Sequence, residues 1–363
     1  MNPYSNRLAR ALREPERLAA LSLEEWDHLI PMARRAGLLP RLALAVERQA
    51  GFEALPERVR PHLWSAKVLA EKHRRDAVYE IDRLARLLHP ITGRVVLLKG
   101  AAYLTAGLAP APGRMFNDID ILVPRNLLAG VESVLGLAGW HGGDIDPYDD
   151  QYYRRWMHQL PPLSNGSSTI DVHHTLVPDT ARIELDADDV LKRVTVLPER
   201  PELAVLAPPD MVLHSAVHLF NDGEYDRGLR DLDDLNLLLR QFGVTASFWE
   251  TLLERAAALH LTRPLFYALR YAVELLGTPV PPDVMRASAA FGPGPIHRLL
   301  MDGLFLRALR SPHPEGSDRL TAPALQALYV RAHYLRMPLR LLVPHLTRKA
   351  LRRRPREAEP GAV

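Results

Sequence analysis

Two carboxylates stand one residue apart inside a short run of branched apolar residues, Asn117-Asp118-Ile119-Asp120-Ile121-Leu122-Val123, and no other stretch limits the fold so tightly. Such a run reads as a strand, and strand side chains alternate faces. Asp118 and Asp120 therefore point the same way, about 6.6 Å apart along the backbone. Carboxylates that close repel one another and are costly on a half-buried surface unless a cation holds them together. Oxygen ligands suit a hard ion, so the expected cofactor is magnesium, with manganese as its substitute.

At 363 residues the chain exceeds the prior of about 150 residues per domain, which suggests two or three units. A composition of 47% apolar and 25% charged residues is that of a globular protein. No uninterrupted apolar run reaches the roughly 20 residues needed to span a bilayer. The first residues carry Arg7, Arg10 and Arg13 but no apolar stretch or cleavage site, so no secretory signal is read and a cytoplasmic location is expected. The absence of cysteine excludes disulfides, thiolate catalysis and cysteine-ligated metals. A formal charge of +3 does not mark a nucleic-acid binder. The basic cluster Arg348, Lys349, Arg352, Arg353, Arg354 and Arg356 reads mainly as a solvated helix end, with a phosphate or acidic-partner contact as the alternative.

The spacing divides the chain into a helical N-terminal region (1–90), an α/β core (91–205) and a C-terminal helical region with a basic tail (206–363). The expected class is α+β, mostly helical, with a small mixed sheet. In the first part Leu8, Leu12, Leu18 and Leu21, then Val68, Leu69, Val78, Ile81, Leu84 and Leu87, follow helical periodicity, with Pro31, Pro40, Pro56 and Pro61 as breaks. In the second, Val95–Leu98 forms a buried strand and 100–107 a helix. A Pro/Gly loop leads into the Asp118 strand, which Pro124 ends, and 126–137 forms a further helix. Strands at 151–163 and 168–176 flank a hairpin at Ser164-Asn165-Gly166-Ser167. Beyond Pro208, helices are expected over 210–220, 226–241, 247–259, 263–276, 295–309 and 322–351, the last broken at Pro338.

The later strand Thr169-Ile170-Asp171-Val172-His173-His174 carries a third carboxylate. Paired beside the Asp118 strand, it brings Asp171 to the other two. Three such groups can hold two magnesium ions about 3.5 to 4 Å apart, one activating a hydroxyl and the other steadying a leaving group. His173 shares the face of Asp171 and is a candidate partner to that cluster or a phosphate contact. His174 faces away.

These pieces resemble the nucleotidyltransferase superfamily typified by DNA polymerase β and the kanamycin nucleotidyltransferases. They are most similar to its bacterial branch of uncharacterised nucleotidyltransferases. The resemblance rests on Leu98-Lys99-Gly100-Ala101-Ala102, Pro112-Gly113-Arg114, Asp118-Ile119-Asp120-Ile121-Leu122-Val123 and Asp171-Val172-His173. It extends through His214 and His218 to Leu229-Arg230-Asp231-Leu232-Asp233-Asp234-Leu235, covering roughly residues 94 to 240. It implies transfer of a nucleoside monophosphate from a nucleoside triphosphate, ATP favoured, to an acceptor hydroxyl, with release of pyrophosphate. Asp118, Asp120 and Asp171 are the implied catalytic and metal residues. Lys99, Gly100, Ala101, Arg114 and His173 are the implied nucleotide contacts. Ala101 stands where the superfamily has Gly or Ser, which removes a hydroxyl contact.

The acceptor is not identified: a small molecule, a peptide or a protein fits the reading, and nucleic acid is less favoured. Two alternatives remain, a nucleotide-binding regulatory or scaffold protein of the same fold without turnover, and a nucleic-acid end-modifying enzyme using the basic tail. His158, His214 and His218 read mainly as core or surface histidines. Asp231, Asp233 and Asp234 read as a solvated helix face or cap, with Asp231 or Asp234 able to meet nucleotide across a cleft.

Overall fold

The computed structural model describes residues 7–143, 146, 153, 154, 156–338 and 340. They are mostly helical and carry one mixed seven-stranded sheet, the α+β class that the spacing implies. Four helices precede the sheet: α1 (Arg7–Arg13), α2 (Leu23–Arg35), α3 (Leu39–Gln49) and α4 (Arg60–Thr92). Ser22 opens α2 with a capping box: its hydroxyl accepts from the Glu25 amide at 3.3 Å, and the Glu25 carboxylate accepts from the Ser22 amide at 2.9 Å. Pro31 does not end this helix as its sequence position suggests. It lies inside α2, whose Trp26, Leu29, Ile30 and Ala33 are buried, so packing on either side carries the helix through. Pro61 sits in the first turn of α4, where a missing amide hydrogen costs little. Leu63, Ala70, Ala77, Ile81, Leu84 and Leu88 give that 33-residue helix one buried stripe.

The core elements then follow as β1 (Val95–Leu97), α5 (Lys99–Thr105), β2 (Ile119–Leu122), α6 (Leu128–Leu137), β3 (His141–Gly142), β4 (Leu163–Ser164), β5 (Thr169–His173), α7 (Ala187–Lys192), β6 (Thr195–Leu197) and β7 (Arg200–Val205). The strand order is β3-β4-β5-β2-β1-β7-β6. β2 runs antiparallel to β1 and parallel to β5. The β4–β5 turn is the expected hairpin: the Asn165 side-chain oxygen accepts from the amides of Ser167 and Ser168 at 2.9 and 2.8 Å, and Gly166 takes φ +85°. Part of the strand expected over 151–163 lies outside the described residues. Within them Tyr153, Arg154 and Trp156 are helical, and extended pairing is limited to the two-residue β4 plus a bridge from Gln159 to His173, with Pro161 and Pro162 lacking the amide hydrogens a continuous ladder needs.

β6 and β7 were not anticipated. They form a tight hairpin in which Leu197 pairs with Arg200, and β7 lies parallel to β1. Pro198 and Pro201 hide them in the sequence, since proline usually argues against a strand. The C-terminal helices are α8 (Pro208–Asn221), α9 (Gly228–Phe242), α10 (Ala246–Ala258), α11 (Thr262–Leu276), α12 (Pro282–Ala289), α13 (Pro295–Ala308) and α14 (Thr321–Arg336). Apart from the short α12 they match the expected periodicity; α14 ends at Arg336, next to the break expected at Pro338, and 341–351 of the last expected helix lies outside the described residues. The basic cluster 348–356 lies outside the described residues. One apolar core runs from Leu8 to Leu328. At its C-terminal end Phe220, Tyr267 and Phe305 lock α8, α11 and α13, with Phe305 5.1 Å from Phe220 and 5.0 Å from Tyr267. Among the described residues no helix is long and apolar enough to cross a membrane.

Candidate active site

Parallel pairing of β2 with β5 places Asp120 directly opposite Asp171. Neighbouring strands lie about 4.8 Å apart, so these two side chains stand side by side. Asp118, just before β2, is exposed, whereas Asp120 is buried. On Asp120 two donors converge on one oxygen: Lys99 Nζ at 2.9 Å and His173 Nε2 at 3.0 Å, both to Oδ1. A carboxylate only accepts, so the histidine presents its hydrogen on Nε2. Asp171 has no such support, and its buried Oδ1 has no hydrogen-bond partner.

The electrostatics follow. Burial alone would raise the Asp120 carboxyl, but Lys99 and His173 together hold it well below the usual carboxylate range. Asp171 goes the other way, pushed up to about 7 by burial and then by the charges of Asp120 and Asp118. Burial lowers His173 despite its carboxylate partner, so the ring is neutral at pH 7. Burial also opposes the charge on Lys99, yet Asp120 outweighs it and raises the ammonium above its ordinary value.

Around this cluster the rings of His158 and His214 lie 5.1 and 6.2 Å from that of His173. Burial holds both well below their ordinary value. Reading them as core histidines is right about burial, but they wall the carboxylate site.

Lys99, His173, Asp118, Asp120 and Asp171 are thus gathered in one place. The other expected nucleotide contacts sit differently. Gly100 and Ala101 are buried in the first turn of α5. A Cβ on Gly100 would lie 2.5 Å from Arg114 Nη1, so the bare glycine makes room for that guanidinium. Arg114 itself is buried and donates through Nε to Asp234 Oδ2 at 3.0 Å.

This pairing exposes a network that the sequence reading missed. Arg41, from α3, donates to Asp233 Oδ2 at 2.6 Å, to the Pro110 carbonyl at 2.7 Å and to Asp234 Oδ1. Asn236 donates to Asp233 Oδ1 at 3.1 Å. Asp233 and Asp234 are therefore no solvated face; they are buried anchors tying α3 and the loop before β2 to α9. The available signal was their place among Leu232, Leu235, Leu238 and Leu239, all buried. Arg227, also missed, directs its guanidinium at the side-chain oxygen of Asn117, beside Asp118.

A cleft of about 580 Å³ opens next to Asp118, lined by Lys72, His73, Tyr79, Phe116, Asp118 and Thr169 among others. Its far wall is the N-terminal helix α4, while His214 of α8 and Arg227 bring the C-terminal region to the carboxylates from another side.

As donors, the three carboxylates suit a hard divalent ion, and the orphaned oxygen of Asp171 beside Asp120 is the mark of an anionic site short of positive charge. Among the described residues, no three His, Asp or Glu side chains stand close enough to hold one metal ion together; Lys99 holds Asp120 instead.

The protein is thus a helix-rich α+β chain organised about an acidic pair of parallel strands. A family model described as uncharacterised nucleotidyltransferase matches residues 22–277, and the chain belongs to that family. The match takes in α2 to α4, including Arg41, where motif resemblance alone covered only about 94–240. No curated protein and no solved structure matches the chain.

Proposed function

We propose that this protein is a magnesium-dependent nucleotidyltransferase of the DNA polymerase β-like superfamily, moving a nucleoside monophosphate from a triphosphate, ATP favoured, to an acceptor hydroxyl. The observation that carries the reading is the register of Asp120 against Asp171, with Asp118 two residues away, in a chain that belongs to a nucleotidyltransferase family. Asp118 and Asp120 would hold magnesium, with Asp171 completing the set. Bound there, the ion supplies a lowered pKa for the acceptor hydroxyl and charge stabilisation for the leaving pyrophosphate.

The chain's own groups do the rest. The acceptor oxygen bonds to the α-phosphorus, the bond from that phosphorus to the bridging oxygen of the β-phosphate breaks, and pyrophosphate leaves. Asp171, whose Oδ1 has no other partner, receives the hydroxyl proton. A carboxyl displaced towards neutral pH suits that task. His173 fixes the orientation of Asp120 from behind. Lys99 and Arg227 offset phosphate charge at the two ends of the carboxylate row. The cleft against α4, whose lining includes Asp118 but neither Asp120 nor Asp171, would take nucleotide or acceptor at that end of the row.

Labelled triphosphates with magnesium or manganese and a metabolite extract, read by mass for a nucleotidyl adduct, test this directly. Asp118→Asn and Asp120→Asn should abolish the adduct, and unchanged rates in both would refute the site. A non-catalytic scaffold would give no adduct and no stabilisation by magnesium with triphosphate.

A further inference from the structure

We propose that Lys99 is a resident counter-ion of Asp120 that must withdraw before a divalent cation can bind, so that lysine and metal compete for one carboxylate oxygen. The inference rests on the reading of Asp118, Asp120 and Asp171 as metal-bearing, and adds a control on loading to it.

Three observations carry it. The Lys99 ammonium lies 2.9 Å from Asp120 Oδ1, and its side chain is largely buried, so this is an enclosed pair and not a passing surface contact. The Lys99 backbone takes φ +43°, the left-handed region that non-glycine residues avoid, at the turn from β1 into α5. Strain at such a point persists only where the surrounding structure enforces it, and here it accompanies a side chain delivered onto the carboxylates. Finally, the lysine satisfies Asp120 but leaves Asp171 Oδ1, one strand away, with no partner. Arg227 reaches only the Asp118 end of the row, so the inner pair Asp120 and Asp171 has the Lys99 ammonium alone and stays under-neutralised. A divalent ion would complete the balance, but an ammonium held on Oδ1 repels it and covers a ligand atom.

Displacement also gives the lysine somewhere to go. Lys99 is the first residue of α5, and once released it can meet the phosphates that enter with the metal. The nucleotide would then assist metal loading by drawing Lys99 off Asp120, and metal alone would bind weakly.

Manganese binding to the full chain without nucleotide, followed by electron paramagnetic resonance, tests the competition. Lys99→Met should bind Mn²⁺ about tenfold more tightly than wild type, while Lys99→Arg, which keeps the charge, should stay within about threefold of wild type. Lys99→Gln, which keeps a donor to Asp120 without the charge, should tighten binding like Met and serves as the neutral variant if Lys99→Met does not fold. If the neutral variant binds Mn²⁺ no better than wild type, the counter-ion role is wrong and the metal-site reading stands. If neither wild type nor the neutral variant binds Mn²⁺, both fall.

Discussion

Replacing Asp171 by Asn should make the metal-free protein more stable and do so increasingly as the pH rises. Asp171 is pushed up to about 7 by burial and by its two carboxylate neighbours. Below about pH 4 the group is protonated in both folded and unfolded chains and contributes nothing. Between there and about pH 7 the folded chain retains a proton that the unfolded chain has released, so wild-type stability falls through this window and levels off above it. The displacement from 3.8 to about 7 corresponds to at most ~4 kcal/mol. Asn also leaves a buried polar atom without a partner, which costs ~1–3 kcal/mol at either pH. The pH-dependent part is then the clean signal: the stability difference between Asp171→Asn and wild type should grow by about 2 kcal/mol from pH 5 to pH 8.5. Urea unfolding in EDTA at the two pH values measures it. A difference that stays constant or shrinks would refute the claim that burial and the two neighbouring carboxylates raise Asp171.

Two further perturbations probe the supporting structure. Gly100→Ala places a methyl 2.5 Å from Arg114 Nη1 and 3.3 Å from Phe116 Cδ1; it should cost about 1–3 kcal/mol by overpacking, and much less in an Arg114→Ala background, as a double-mutant cycle of denaturation midpoints will show. Arg41→Ala leaves Asp233 and Asp234 with a buried partner missing and should cost about 3–5 kcal/mol in thermal or urea unfolding.

Much of the site was legible in the sequence because strand geometry is local. The Asp118-Ile119-Asp120 alternation and the single carboxylate of Thr169-Ile170-Asp171-Val172 require only period-two patterning to be placed on a face, and the parallel register of β2 with β5 then brings them together. What could not be read is what depends on distant chain. Nothing near Arg41 says that its partners lie 192 and 193 residues away on α9. Nothing in Leu98-Lys99-Gly100 says that Arg114 fills the space above the glycine. Strands β6 and β7 escaped because their prolines contradict local propensity, whereas β1 and β6 pair along both sides of β7 and override it. The inner histidines looked like ordinary core residues, since their nearness to Asp120 depends on how α8, for His214, and the segment before β4, for His158, pack against β5.

The salt-bridged knot of Arg41, Arg114, Asp233 and Asp234 bears on how this chain can be cut. A fragment that starts after α4 would keep two interior aspartates but lose one of their two arginines, and a fragment that stops before α9 would strand both arginines. The acidic strands thus depend on parts of the chain far to either side of them. An excised core would be a poor stand-in for the whole, and the smallest workable piece must run from before α3 to beyond α9.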